Sequence, residues 1–291
     1  MTATAAVPVP VEPDAEERPR RQFSLALAFS VTWLALLTFC AVFASALPFV
    51  KSARKITPRL HRAPSWQSWF GTDKLGRDIF TRSIYGARTS LMIAGLSISI
   101  GLIIGGTIGL IAGYYRKKLD YLTSLAVDIM LAFPPLILAL AIVSVRDNRG
   151  VAEVVFALSI LSIAPLIRVV RAQTLVYAQR EFVLAAKGLG ARNGRILFRE
   201  VLPNVVPSML TFALTGLAIL VVAEGGLAFL GLSVGPPRPT WGGMINDGYQ
   251  DLDKYPWIAL FPCGMLFLTV LSFNLLGDQL SKRFDIKESL A

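Results

Sequence analysis

Two carboxylates stand where charge is costly: Asp128 and Glu224 each lie inside a long apolar run. An ionised side chain at the centre of a bilayer costs about 3 kcal/mol on insertion scales, so neither is expected to face lipid. Two chemistries fit them. Each is either a protonated or hydrogen-bonded structural group between helices, or part of the lining of a polar translocation path. A proton relay would need more ionisable groups in series than these runs hold. The single histidine, His61, falls in a mixed polar segment and is expected at the surface rather than as a ligand. No cluster of His, Cys and carboxylates has metal-site spacing, and no nucleophile stands in a pattern with a base. Intrinsic catalysis is not expected. Gly71 to Asp78 superficially resembles a phosphate-binding loop, but Arg77 and Asp78 occupy the places where Lys and Ser or Thr would meet phosphate and magnesium. An aspartate there would repel phosphate. If ATP drives this protein, it is bound on another chain.

A second group of residues has spacing suited to contact rather than reaction. Glu181, Ala185, Ala186, Gly190, Leu202, Pro203 and Asn204 fall in one polar, basic stretch. It reads as a short helix of small residues, a glycine break, and a basic amphipathic helix ended by Pro203. Small residues let a helix seat deeply in a groove of another protein, and glycine supplies the turn. A helix lying on the membrane surface would call for bulkier apolar residues. Gly101, Gly105, Gly109 and Gly113 recur every four residues and so share one helix face, where another backbone can approach closely. That neighbour is a helix of the same chain, a partner subunit, or a face that slides during transport.

The elements that must position these residues are membrane spans. Of 291 residues, 54% are hydrophobic and 16% charged, and the mean hydropathy is +0.58. A soluble domain carries about a quarter charged residues. Six apolar runs, each near the roughly 20 residues that a bilayer requires, begin near residues 23, 89, 121, 151, 205 and 256. The third is interrupted by Asp128 and by Pro134-Pro135. The chain divides into a disordered tail (1–22), a first span (23–47), an external segment (48–88), a transmembrane domain (89–280) and a C-terminal tail (281–291). The first run is too long for a signal peptide, so it is read as retained, with cleavage after Ala44 or Ala46 as the alternative. Cys40 and Cys263 both fall in apolar runs and read as membrane-buried thiols. The net charge of +10 does not mark a nucleic-acid binder, because the Lys and Arg residues lie between and beside the spans. Such charge sets orientation. It favours both termini inside, although the basic 48–88 segment leaves the bias small.

Four stretches resemble one family. Ala185, Ala186, Gly190, Leu202 and Pro203 match the coupling loop of ABC importer permeases. Leu184 stands where the general pattern has glutamate, and Glu200 where it has isoleucine. Phe70 to Asp78 with Tyr85-Gly-Ala-Arg88, Ala112-Gly-Tyr-Tyr115 followed by Asp120, and Phe229 to Gly242 are similar to the second (C-type) permease of oligopeptide and dipeptide importers. Together they cover residues 70 to 278. The resemblance implies an all-α integral membrane protein with six transmembrane helices in the type I ABC importer permease fold, carrying a cytoplasmic coupling helix within 180–204. It implies a heterodimer with a homologous permease, two cytoplasmic ATPases that hold ATP and Mg, and an external substrate-binding protein. It further implies no cofactor in this chain, a bacterial inner membrane location, and a peptide as cargo. Nickel or another small solute is the alternative cargo. A secondary carrier is the alternative class, but it would show internal repeats.

Overall fold

The computed structural model describes residues 25–53, 55–145 and 150–289. The tail expected over 1–22 lies outside the described residues. The described residues form ten α-helices: α1 (Leu25–Val42), α2 (Ile79–Tyr115), α3 (Lys117–Ala132), α4 (Pro135–Ser144), α5 (Val151–Tyr177), α6 (Glu181–Gly188), α7 (Asn193–Arg195), α8 (Leu202–Phe229), α9 (Trp241–Tyr249) and α10 (Trp257–Ser289). Among the described residues there is no strand, only isolated bridges such as Ile56 with Arg77. Among the described residues, five helices are long and apolar enough to cross a bilayer, and the bent pair α3–α4, counted as one span, is a sixth.

Helix α2 begins at Ile79, not at Thr89, so the segment expected to be external through residue 88 is partly helical. Asp78 caps it by accepting from the Thr81 N–H at 2.9 Å. Arg82, Arg88 and several hydroxyls lower the local hydropathy there and hide a first stretch whose Ile79, Ile84 and Ala87 are buried. The resulting helix of 37 residues is about 55 Å long, against about 30 Å of hydrocarbon. The polar first turns therefore extend beyond the apolar layer.

Close packing of α2 on α5 organises the bundle. A Cβ on Gly105 would lie 2.8 Å from the Ile163 carbonyl, and one on Gly109 would lie 2.8 Å from that of Ile167. Gly101 faces Ser162 and Gly113 faces Thr174, so the whole glycine face is covered within this chain. Matching positions rise together along both helices, so α2 and α5 are parallel. Helix α8 runs the other way, since Met209 lies by Gly106 and Ile98 by Gly216. Helix α10 reverses again, with Leu266 by Gly225 and Thr215 by Gly277. A parallel α2–α5 pair forces the chain between them to return through the layer. The return is α3–α4, which bends by 85° because Pro134 and Pro135 exclude helical geometry at Phe133 and supply the first turn of α4 instead.

Pro203 does not end a helix, contrary to the expectation above. The helix that starts at Asn193 runs unbroken to Phe229. Its second turn, Ile196–Val201, is π-helical, and such wide turns occur as insertions in α-helices. In an α-helix the proline ring collides with the carbonyl four residues earlier; the wider turn relieves that contact. The Asn204 amide donates to the Glu200 carbonyl at 2.6 Å, giving this carbonyl a side-chain partner.

Two further expectations meet the structure here. His61 is half-buried rather than superficial, stacked on Tyr255 with ring centroids 4.2 Å apart. Cys40 and Cys263 are unpaired, Cys40 half-buried and Cys263 exposed on the surface of the bundle within an apolar span.

Candidate functional site

At the end of the bundle where α2 and α5 finish, the 178–204 segment forms a compact loop. Helix α6 buries Val183, which packs with Ile196, Leu197, Val201, Val205 and Tyr177 in a small apolar cluster. Glu181 sits in the first turn of α6, where a carboxylate complements the helix dipole. The helix closes in a full Schellman turn: Gly190 N–H donates to the Lys187 carbonyl and Ala191 N–H to that of Ala186, each at 3.0 Å. The turn requires Gly190 at φ +79°, and nothing lies within 4 Å of a Cβ built there. The chain itself leaves that space open. Outward from this rigid base project Leu184 and Leu189, the latter 89% exposed, beside exposed Ala185. The base is tied to α2, since the Tyr114 hydroxyl donates to Asn193 Oδ1 at 3.0 Å and Lys187 Nζ lies over the Tyr114 ring. Leu202 is half-buried, while Pro203 and Asn204 are exposed on the emerging helix. Sequence reasoning found the exposed, small-residue half of this loop. It missed Val183, Ile196 and Val201, whose apolar spacing on both sides of Gly190 was the available signal.

Asp128 on α3 pairs with Arg168 on α5 at 2.6 Å, with side chains 65% and 56% exposed. Nearer the loop end, Arg171 clasps both oxygens of Asp120, its Nη2 donating at 3.0 Å. Two carboxylate–guanidinium pairs thus line one α3–α5 seam that starts at the loop end of the bundle. The Asp128–Arg168 pair is more than half-exposed and faces away from the rest of this chain. Arg168 was not singled out from the sequence, because nothing local signals that α3 and α5 meet at this register.

Glu224 behaves differently. It is fully buried, accepting from the Ser90 hydroxyl at 2.7 Å and the Ser233 hydroxyl at 2.8 Å. It joins α8 to α2 and to the loop that follows α8. Nearby, Trp241 is fully buried and donates its indole N–H to the Ser83 carbonyl at 3.0 Å. The sequence left Glu224 between a buried and a path-lining role; here both of its oxygens are hydrogen-bonded inside the fold.

In the 71–78 turn, Asp73 Oδ1 accepts from the N–H groups of Leu75 and Arg77 at 2.9 and 2.8 Å. Donors that could cradle a phosphate are committed to this carboxylate. Among the described residues, no group of His, Cys, Asp and Glu could hold a metal ion.

A bundle of apolar helices with an ion pair half-exposed in its apolar zone, and a stiff loop presented at one end, defines a membrane-embedded transport subunit. Residues 105–286 match the family described as "Binding-protein-dependent transport system inner membrane component", and the chain belongs to that family. It is 40% identical over 247 residues to the dipeptide transport system permease protein DppC of Alkalihalophilus pseudofirmus, covering 85% of this chain and 81% of the relative. It is 42% identical over 229 residues to the glutathione transport system permease protein GsiD of Pectobacterium atrosepticum, covering 79% and 76%. Among solved structures, the inward-facing MetNI methionine ABC transporter shares the fold at a TM-score of 0.60 and 19% identity, over 71% of this chain and 97% of that one. The protein is a multi-pass permease subunit of an ATP-binding-cassette importer with the type I fold.

Proposed function

We propose that this chain is the C-type permease of a short-peptide importer. It forms the path with a homologous permease and is driven by two ATPase subunits docked on the 180–204 loop. ATP and Mg belong to those ATPases; this chain holds no cofactor and performs no catalysis. The observation that carries the coupling role is the Schellman turn at Gly190, which presents Leu184, Ala185 and Leu189 on a base too well packed to yield. A load applied there reaches α5 and α8 through Val183, Ile196 and Val201. The docking loop lies in the cytoplasm, so the polar end containing residues 51–82 and 231–255 faces outward, toward an external binding protein. Peptide cargo is supported by the dipeptide and glutathione systems named for the relatives.

The Asp128–Arg168 pair belongs to the translocation path in this reading. Exposed charges within apolar helices require a polar covering, and a water-filled route between two permeases supplies one. The test is uptake into proteoliposomes that contain both permeases and both ATPases, with binding protein outside and ATP inside. Labelled dipeptide or glutathione should accumulate only when every component is present. Accumulation of nickel with no peptide uptake would replace the cargo while leaving the permease class intact.

A further inference from the structure

Opposite the docking loop, a cavity of about 190 Å³ opens between the start of α2, the loop after α8 and the start of α9. Arg77, Arg82, Arg238, Ser233 and Asp247 are among its walls. The charges around it are unevenly matched. Asp73 is occupied by two backbone N–H groups and by Arg77 Nε at 2.6 Å. Asp247 is held by Lys74 at 3.0 Å, with Arg77 at 3.7 Å. Arg82 is left over. Its side chain is 7% exposed, and its Nε lies 3.7 Å from Asp73 Oδ2, beyond hydrogen-bonding distance. Among the described residues its guanidinium has no hydrogen-bond acceptor. Its nitrogens are not sealed from solvent; they open on the cavity with donor capacity that an entering group can use. The exposed Arg238 adds a second positive charge to the same cavity without an ion pair among the described residues.

We propose that this cavity is a carboxylate-binding site in which Arg82 forms a two-point pair with the incoming group. A guanidinium presents parallel N–H donors that match the two oxygens of a carboxylate. A cavity of about 190 Å³ accommodates a carboxylate with waters around it. The entering group is the end of something larger. It is either the C-terminal carboxylate of a peptide or an Asp or Glu side chain of the binding protein. The outward placement of the cavity rests on the orientation proposed above; the unmet donors of Arg82 do not.

The first measurement needs no transport: thermal unfolding of the assembled transporter in nanodiscs, titrated with acetate or acetamide at constant ionic strength. Acetate should raise the melting temperature and acetamide should not. Arg82→Gln should weaken the acetate response by about tenfold, the loss of a charge-assisted pair, and Arg82→Lys should retain part of it. If Arg82→Gln does not assemble, Arg82→Lys and Arg238→Gln provide the comparison, each with a reduced response. An unresponsive wild type, or variants that respond as the wild type does, would overturn the site. Uptake of a dipeptide and of its C-terminal amide then separates the sources. If the peptide supplies the carboxylate, Arg82→Lys lowers uptake of the free acid alone. If the binding protein supplies it, both uptakes fall together and the protein docks more weakly on the variant.

Discussion

At the scale of single residues, the two intramembrane carboxylates have opposite surroundings and should fail in opposite ways. Glu224 accepts two hydroxyl hydrogen bonds in a site closed to solvent. Glu224→Leu would leave the Ser90 and Ser233 hydroxyls without their acceptor, at about 1–3 kcal/mol for each unmet group. The expected result is a lower melting temperature and less protein in the membrane, with Glu224→Gln much milder because an amide can still accept. Asp128 is exposed and paired with Arg168, so Asp128→Asn and Arg168→Gln should leave membrane levels and melting temperature near those of the wild type. Uptake should fall in both, and the charge-reversed double variant should recover part of it. Wild-type uptake in both single variants would remove the pair from the path. The sequence identified both carboxylates because their cost in an apolar run is a local property. It could not separate their roles, since Ser90, Ser233 and Arg168 reach them only through tertiary packing across 134, 9 and 40 residues.

At the scale of elements, local chemistry and long-range packing decided different features. The glycine repeat of α2 was legible as a surface for close approach, because period and residue size are both written in the sequence. Its partner, α5, was not. Pro203 predicts a stop because proline excludes an ordinary α-turn; the π-turn that carries the helix past it depends on burial of Ile196, Leu197 and Val201 in a cluster that also includes α6. The glycines of the docking loop offer a controlled comparison. Gly190 has φ +79° while Gly194 does not have a positive φ, and a Cβ added to either would meet nothing within 4 Å. A substitution at Gly190 strains the Schellman turn by about 1 kcal/mol, too little to unfold a bundle whose main core lies elsewhere. Gly190→Leu should therefore reach the membrane at near-normal levels. Its uptake should fall steeply, with ATPases that detach or hydrolyse ATP without transport. Gly194→Leu should be milder on both counts. Normal transport by Gly190→Leu with ATPases bound would remove the loop from coupling.

At the scale of the whole molecule, helix direction supplies what charge counting could not. Basic residues divide so evenly, once residues 51–88 are included, that the positive-inside bias gives little discrimination. Packing gives a stronger constraint. Helices α2, α5 and α10 run one way and α8 the other, as their facing residues require. The chain that follows α1 returns to the start of α2, where Lys51 N–H donates to the Thr81 hydroxyl at 3.2 Å, so α1 runs opposite to α2. It follows that the beginning of α1, the end of α10 and the 178–204 loop all lie at one end of the bundle, with residues 51–78 and 231–256 at the other. The bent α3–α4 pair must cross the layer for this to hold; were it to re-enter and leave on the same side, α5 would run antiparallel to α2 and the glycine register would be impossible. Reporter fusions after residues 118 and 190, and at the C-terminus, should therefore share one compartment, and fusions after 60 and 245 the other. The first group should be cytoplasmic, because ATPases can engage the loop only there. Opposite readouts at 118 and 190 would refute the crossing by α3–α4 and the parallel pairing of α2 with α5, whereas a uniform inversion of every reporter would preserve the fold and refute only the docking of ATPases on this loop.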